Sequence, residues 1–226
     1  MGNPIKTVLK ITKSYGLKAS GVYLLNKLGR VTCDVVVEHL VTLPVNQISD
    51  SGPLLDGFEA RWMTPEEVCE FSQDPSNDLT LEFAEGVKSN NRCFGIMSQG
   101  RLAAYGWYTL HQVKPEYFFQ TGMQLPQNLV YMHKGFTHPD FRGQRLHAKG
   151  MQLALKSLNE EGVEAIISTV DWTNFASLKS CDRLGYQRLG RLMKCTLLGR
   201  TFSRFPPAAV QIGISQGSQL PSLVPA

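Results

Sequence analysis

THPDFRGQRLHAKG, residues 137–150, decides the fold, because an apolar run leads into this stretch and a helical pattern follows it. The first backbone N–H groups of a helix have no partner within the helix, and the helix dipole is positive there. Such a turn is a natural anion site, most often for phosphate. Gly143 lets a bulky anion approach the backbone, and Arg142 and Arg145 add positive charge. The alternative is an ordinary strand-to-helix loop with solvated arginines.

The segments on either side of this turn form a strand–helix–strand unit. Residues 129–137 (LVYMHKGFT) predict a strand, and residues 142–161 predict a helix with one apolar face. The apolar positions at helical spacing are Met151, Ala154, Leu155 and Leu158. Gly162 predicts a left-handed end to the helix, and residues 164–170 (EAIISTV) predict a buried strand. Two strands joined in this way run parallel.

Other segments predict the elements around this unit. Thr64, Pro65 and Glu67 have the spacing of a helix start with a capping box. The Gln99-Gly100 turn predicts a hairpin. The remaining predicted elements are helices within 4–29 broken at Gly16 and Gly21, strands at 33–43, 58–62, 92–98 and 101–111, a short helix at 79–87, a long connection at 112–128, a helix at 174–184 and closing strands at 186–199.

The composition limits the classes of function. Lys plus Arg number 23 against 19 for Asp plus Glu, a net charge of +4, which fits a phosphorylated small ligand and is too small to indicate nucleic acid. The five cysteines form no CxxC pair, so we expect neither a disulfide framework nor a metal site. A reducing, cytoplasmic compartment fits best. The sequence has no run of 18 apolar residues, so we expect no membrane span.

The second helix adds a family resemblance. It begins at Asn174 and ends in Leu184-Gly185-Tyr186, and the turn before the first helix reads Pro139-Asp140-Phe141-Arg142-Gly143. Together these motifs resemble the GNAT superfamily of acyl-CoA-dependent N-acetyltransferases, over roughly residues 55–200. The resemblance implies a mixed α/β fold, in which a central mixed sheet flanked by helices splays between the family's fourth and fifth strands. It also implies an acyltransferase domain at 51–200, preceded by an N-terminal extension of helix and strand at 1–50. The Pro-, Gly-, Gln- and Ser-rich composition after residue 206 predicts a loosely ordered tail at 201–226.

The implied co-substrate is acetyl-CoA or another acyl-CoA, without a metal. The pantetheine arm is expected along strand 129–137, and the pyrophosphate on the backbone amides of the turn, where side-chain identity can vary. The residues implied to bind the cofactor are Phe136, Thr137, Arg142, Gly143, Gln144, Arg145, Leu146, His147 and Asn174. Two of them depart from the family, because Arg145 and His147 stand where it has the later glycines of the turn. Their side chains either crowd the pyrophosphate or, for Arg145, form a salt bridge with it.

The implied reaction is the direct attack of an amine on the acyl thioester, with a strand N–H polarising the thioester carbonyl. An aliphatic amine is mostly protonated at neutral pH, so a base must take a proton. Tyr131 and His133 lie two residues apart on one strand face, and His133 is the first choice because histidine titrates in the useful range. The alternative is that His133 packs at a strand end.

A proton donor to the leaving thiolate is the second requirement. Many family members carry a Tyr seven residues after the Asn, and this chain has Cys181 there. A thiol is a reasonable donor, since its pKa matches that of the leaving group. Cys181 as a small buried hydrophobe is the alternative.

The acceptor is expected to be an amine on a small molecule or peptide, and the protein a monomer or homodimer. The pocket for the acceptor is lined by aromatic side chains at Tyr105, Trp107, Tyr108 and 117–119, or these side chains belong to the core instead. One rival function is a non-catalytic acyl-CoA-binding regulatory module. Another is a membrane-surface adaptor, in which the lysine-rich residues 4–29 contact acidic lipid or a partner.

Overall fold

The computed structural model describes residues 4–32, 35–48, 52–80, 91–114, 122–197 and 200–216. The chain divides into two compact units, Met1–Val41 with Thr169–Gln211, and Thr42–Ser168 with Ile212–Ala226. This division passes through strands β1 (Val35–Pro44) and β8 (Ala165–Asp171). The predicted segments 1–50, 51–200 and 201–226 stay predictions.

The larger unit contains the strand–helix–strand unit. Its elements are the last part of β1, β2 (Phe58–Trp62), α2 (Pro65–Ser72), β3 (Asn91–Ser98), β4 (Arg101–Leu110), β5 (Gln112–Val113), β6 (Met123–Gln124), β7 (Leu129–Thr137), α3 (Leu146–Glu160), the first part of β8, and β11 (Ser215–Gln216). The strand order is β8-β7-β4-β3-β2, with a small second sheet β11-β6-β5. The β2–β3, β3–β4 and β4–β7 pairs are antiparallel and β7–β8 is parallel, as predicted.

The other unit contains the chain's first helix and its last long strands. Its elements are α1 (Pro4–Thr32), the first part of β1, the end of β8, α4 (Phe175–Leu184), β9 (Gln187–Leu197), β10 (Arg200–Arg204) and α5 (Pro207–Gln211). Its strands follow the order β10-β9-β1-β8, and β9 and β10 are antiparallel. The mixed, mostly antiparallel sheet flanked by helices is the predicted fold class.

The α3 helix packs by the predicted apolar face. Met151, Ala154, Leu155 and Leu158 are all 2% exposed or less. At its end, Gly162 has φ +93°, and the N–H groups of Gly162 and Val163 donate to the carbonyls of Asn159 and Leu158. These bonds satisfy carbonyls that the helix leaves open, so the predicted glycine end is confirmed.

Two predicted helix boundaries need correction. The helix predicted from residue 142 begins at Leu146, because a 3-10 helix at Pro139–Phe141 and two positive φ angles, at Gly143 and Arg145, precede it. Backbone with positive φ cannot continue a right-handed helix. In α1, Gly16 interrupts the helix as predicted, whereas Gly21 lies within it.

The local turn signals are confirmed. The capping box of α2 has both bonds, from Glu67 N–H to Thr64 Oγ1 and from Thr64 N–H to Glu67 Oε2. Gln99 and Gly100 both have positive φ, the geometry that closes a two-residue hairpin. Most of the helix predicted at 79–87, and the aromatic residues 117–119, lie outside the described residues.

Candidate functional site

The strand β7 carries a bulge at the predicted catalytic histidine. Lys134 pairs with Trp107 on β4, and Met132 pairs with Tyr108, the next residue of β4. His133 is therefore the extra residue of the bulge, opposite no residue of β4 in the register. A bulge of this kind bends the strand and re-aims a side chain, and it is common beside active sites. Spacing alone could not predict it, because the extra residue is defined only by the partner strand.

The rings of Tyr131 and His133 stack, with centroids 6.2 Å apart and planes at 6°. The two side chains therefore lie on one face, where the sequence predicted them. Trp107 meets the same imidazole edge-on at 6.1 Å. Tyr131 is 2% exposed and His133 is half-buried, so both are held by packing.

The surroundings of His133 keep it uncharged. Burial, and after it the positive charge of Lys134, lowers the pKa of His133 to about 3. At neutral pH the imidazole therefore has a lone pair to offer. The same shift makes it a weak base, since a general base works best with a pKa near the operating pH.

A polar cluster that the sequence did not indicate lies next to the bulge. Lys134 Nζ is 2.9 Å from a carboxylate oxygen of Asp78 and donates to the Asp78 carbonyl at 2.7 Å. The Tyr105 hydroxyl donates to the same carbonyl at 2.9 Å. Asp78 has φ +53° after a short 3-10 helix, and lies 56 residues from Lys134. No spacing rule relates positions that far apart, so only the fold brings them together.

The strand aromatics belong to the core. Tyr105, Trp107 and Tyr108 are 2%, 0% and 1% exposed, so of the two alternatives the core is the correct one for them. Burial, and then the Asp78 carboxylate, raises the pKa of Tyr105. Phe136, a predicted cofactor contact, stacks on Tyr105 at 5.4 Å and is half-buried.

The chain leaves β7 through a well-bonded turn. His138 caps the 3-10 helix, with Nδ1 accepting from Asp140 N–H, and its Nε2 is 3.2 Å from Ser76 Oγ. Asp140 forms a salt bridge of 2.5 Å with Arg101. Because Nδ1 accepts this backbone hydrogen bond, His138 acts as a structural cap.

Beyond this cap, the backbone turns away from helical geometry twice. Gly143 has φ +86° and Arg145 has φ +58°, and Arg145 takes the N-cap position of α3. A Cβ on Gly143 would meet no atom within 4 Å, so its backbone faces open space. Alternating backbone of this type at a helix start presents N–H groups to an anion.

The side chains of the turn differ in exposure. Arg142, Gln144 and Arg145 are exposed, and Arg142 Nε donates to the carbonyl of Thr137 at 3.3 Å. Leu146 is buried at 2% exposure, so only its backbone is available to a ligand.

His147 occupies space above the end of β7. A Cβ on Gly135 would lie 2.6 Å from His147 Nδ1, so the imidazole rests directly on the glycine backbone. The side chain of His147, which stands where the family has a glycine, thus contacts β7.

The pairing of β7 with β8 ends early. It comprises Leu129 with Ala165, Val130 with Ile166, and Tyr131 with Ile167, six residues before the end of β7. The splay predicted between these parallel strands therefore begins at the stacked pair and runs toward the turn.

The two remaining predicted site residues belong to the other unit. Asn174 caps α4, and its Oδ1 accepts from Ser177 N–H at 3.2 Å. Cys181 is half-buried, and burial, followed by the charge of Asp182, raises the pKa of its thiol to about 11. The thiol therefore keeps its proton at neutral pH.

Comparison with known proteins gives a family match. The model of the acetyltransferase (GNAT) family matches residues 57–186, more than half of the chain. No curated protein matches the sequence significantly.

Solved structures are similar in fold. They include a GCN5-related N-acetyltransferase from Kribbella flavida (15% identity, TM-score 0.51, 79% of this chain and 64% of that chain). A Drosophila protein has 14% identity and TM-score 0.51, covering 82% of this chain and 58% of its own. A tandem GNAT protein from the clavulanic acid biosynthesis pathway has 15% identity and TM-score 0.50, covering 73% and 54%. The chain spans less than two thirds of the length of each of these three, and at these identities the likeness shows the fold alone.

Proposed function

We propose, because this chain belongs to the acetyltransferase (GNAT) family, that it transfers an acetyl or other acyl group from acyl-CoA to an amine by direct attack on the thioester. One observation carries the proposal. The edge of β7 continues for six residues beyond its last pairing with β8, and it leads into a turn with two positive φ angles at the start of α3. A strand edge and an anion-binding turn in succession suit an amide-rich arm that ends in a diphosphate.

The residues of the turn fit the diphosphate. The backbone amides of residues 143–147 bind it, and the open space beside Gly143 leaves room for its oxygens. Arg142 and Arg145 add two exposed positive charges, and the first turn of α3 has no acidic residue. In this proposal, Phe136 and Thr137 flank the pantetheine arm. Asn174, which caps α4, is a further contact.

Bound acyl-CoA supplies an activated acyl group with a thiolate as leaving group. His133 accepts the proton of the attacking amine, and Tyr131, stacked on it, holds the imidazole in place. A backbone N–H of β7 donates to the carbonyl of the thioester, as in an oxyanion hole. Cys181 donates a proton to the departing sulfur, for which its protonated thiol is suited.

A second function, binding of acyl-CoA without catalysis, is favoured by one observation. The two proposed proton-transfer groups have a pKa of about 3 and about 11, and neither lies near neutral pH. The turn, in contrast, depends on backbone geometry that is independent of those pKa values. A regulatory module would therefore retain the turn and lack turnover.

The test combines calorimetry with thiol release. We expect CoA to bind with measurable heat, and acetyl-CoA to release thiol in the presence of amines from a panel of amino acids, polyamines, aminosugars and peptides. His133→Gln is expected to lower kcat about 100-fold, the usual contribution of a general base, and to leave CoA affinity unchanged. CoA binding without turnover on any amine would establish the regulatory module, and absence of both signals would reject both functions.

Matched arginine variants test the placement of the diphosphate. Arg142→Ala/Arg145→Ala should weaken CoA binding, whereas Arg183→Ala, at another exposed arginine on α4, should not. Equal affinities for all three proteins would place the diphosphate elsewhere.

A further inference from the structure

The α1 helix is a hairpin of two helical segments. Thr12 Oγ1 and Ser20 Oγ lie 2.6 Å apart, although eight residues along a straight helix span about 12 Å. Gly16, between them, has φ 84° and ψ 171°, which lies outside helical geometry. The chain therefore folds back on itself at Gly16.

One side of this hairpin is anchored to its own unit. Tyr15 packs against Phe175 with ring centroids 5.3 Å apart, and Asn26 Nδ2 donates to Thr173 Oγ1 at 3.4 Å. Ala19 is 8% exposed and Asn26 is 7% exposed. The start of α4 thus holds the hairpin in place.

The other side is apolar and open. Leu17, next to the bend, is 80% exposed, and Ile5 and Leu25 are 68% and 65% exposed. Between the two segments lies a groove of about 400 Å³, lined by Ile5, Val8, Leu9, Tyr23, Leu24 and Lys27. Apolar side chains grouped on a surface in this way mark an interaction site.

The same hairpin is strongly basic. Lys6, Lys10 and Lys13 follow at i, i+4 and i+7 and are exposed, so they form one face beside the apolar one. Residues 4–32 contain six basic residues, Lys6, Lys10, Lys13, Lys18, Lys27 and Arg30, and no Asp or Glu. The remaining charges of the protein, 17 basic against 19 acidic, nearly balance.

We propose that the α1 hairpin docks on the surface of an anionic lipid bilayer. Leucines enter the boundary of the acyl chains, while lysines extend their stems and keep their charges at the lipid headgroups. A second copy of the chain would bring the same three lysines, Lys6, Lys10 and Lys13, against these, which disfavours self-association through this face. The hairpin lies on the bilayer, since no helix in the described part of the chain is long and apolar enough to cross it.

Sedimentation of the full chain with vesicles tests this proposal. We expect pelleting with phosphatidylcholine–phosphatidylglycerol vesicles, little pelleting with phosphatidylcholine alone, and weaker binding as salt is raised. Lys6→Glu/Lys10→Glu should lower the apparent affinity at least 25-fold, since each basic residue near an anionic surface contributes about fivefold.

The control is Lys156→Glu/Lys179→Glu, which changes the net charge equally at exposed positions on α3 and α4 and should bind as the parent does. Leu17→Asp should also weaken binding, and Leu17→Trp should retain it with a blue shift in emission on adding anionic vesicles. No pelleting with anionic vesicles, or equal losses in the α1 pair and the control pair, would overturn the proposal. So would a Leu17→Asp variant that changes only the sedimentation coefficient of the protein alone, because the occupant would then be a second copy.

Discussion

At the scale of single residues, Gly135 and His147 form a pair that only the fold defines. The imidazole of His147 lies where a Cβ on residue 135 would stand. Glycine in a strand otherwise has no packing advantage and loses more conformational entropy on folding than other residues. The glycine is therefore best explained by the close approach of the ring.

This contact predicts strong coupling between the two positions. Gly135→Ala should lower the free energy of unfolding by about 1–3 kcal/mol, as overpacking usually does. In the His147→Ala background the same substitution should cost little, because the ring is gone. Urea unfolding of the four proteins gives the coupling energy, and additive effects of the two changes would mean that the ring can move aside freely.

The residues of the site differ in how far the sequence could predict them. The period of a strand places Tyr131 and His133 on one face, and they stack there. The low pKa of His133 and the Lys134–Asp78 ion pair arise from burial and from contacts between distant segments. Of these, short spacing contains only the adjacent charge of Lys134, because burial and the position of Asp78 depend on the fold.

At the scale of elements, the turn before α3 has a conformation that its sequence does not favour. Arg145 adopts φ +58° at the N-cap, a left-handed conformation that costs a non-glycine residue roughly 1–2 kcal/mol. Family members place glycine in this part of the turn, where such backbone costs little. Arginine at this position lowers the stability of the fold somewhat and places a positive charge beside the start of α3.

Two substitutions separate strain from charge. Arg145→Gly should unfold with a free energy about 1 kcal/mol higher than Arg145→Ala, because glycine relieves the left-handed strain and alanine does not. Both should weaken CoA binding about tenfold, the contribution of one charge-assisted hydrogen bond. Equal stability of the two variants would contradict the strained backbone, whereas parent-like CoA affinity in both would contradict a phosphate role for the charge.

Most elements follow from local signals, and the misplaced boundaries lie where local signals compete. The capping box at Thr64 and the glycine ends of α3 and α4 fix helix limits through backbone hydrogen bonds among near neighbours. The start of α3 was predicted four residues early. Its polar residues suit a helix, but the cap by His138 and the positive φ at Gly143 exclude one.

At the scale of the whole molecule, buried histidines connect stability to pH. Burial is the main cause of a lowered pKa at His39, His133 and His147, which belong to both compact units. At His39 the positive charges of Arg188 and Arg191 add to the effect, and Asp182 opposes it. Unfolding restores an ordinary pKa near 6.5 to each, so below that pH the unfolded chain binds more protons than the folded one.

The free energy of unfolding should therefore be highest above about pH 6.5 and should fall as the pH drops toward 4.5. Each such group contributes at most about 1.4 kcal/mol per pH unit, because that is the free energy of one unit of pKa. Near pH 4 the carboxylates of Glu67, Asp74 and Asp140, whose pKa values are lowered by hydrogen bonds, extend the loss.

Urea unfolding at half-unit pH steps measures the slope of the free energy of unfolding against pH. His39→Gln, His133→Gln and His147→Gln should each flatten it between pH 6.5 and 4.5, whatever they cost at pH 8. A parent protein with constant stability across that interval, or three variants with the parent's slope, would mean that these histidines take up protons without unfolding.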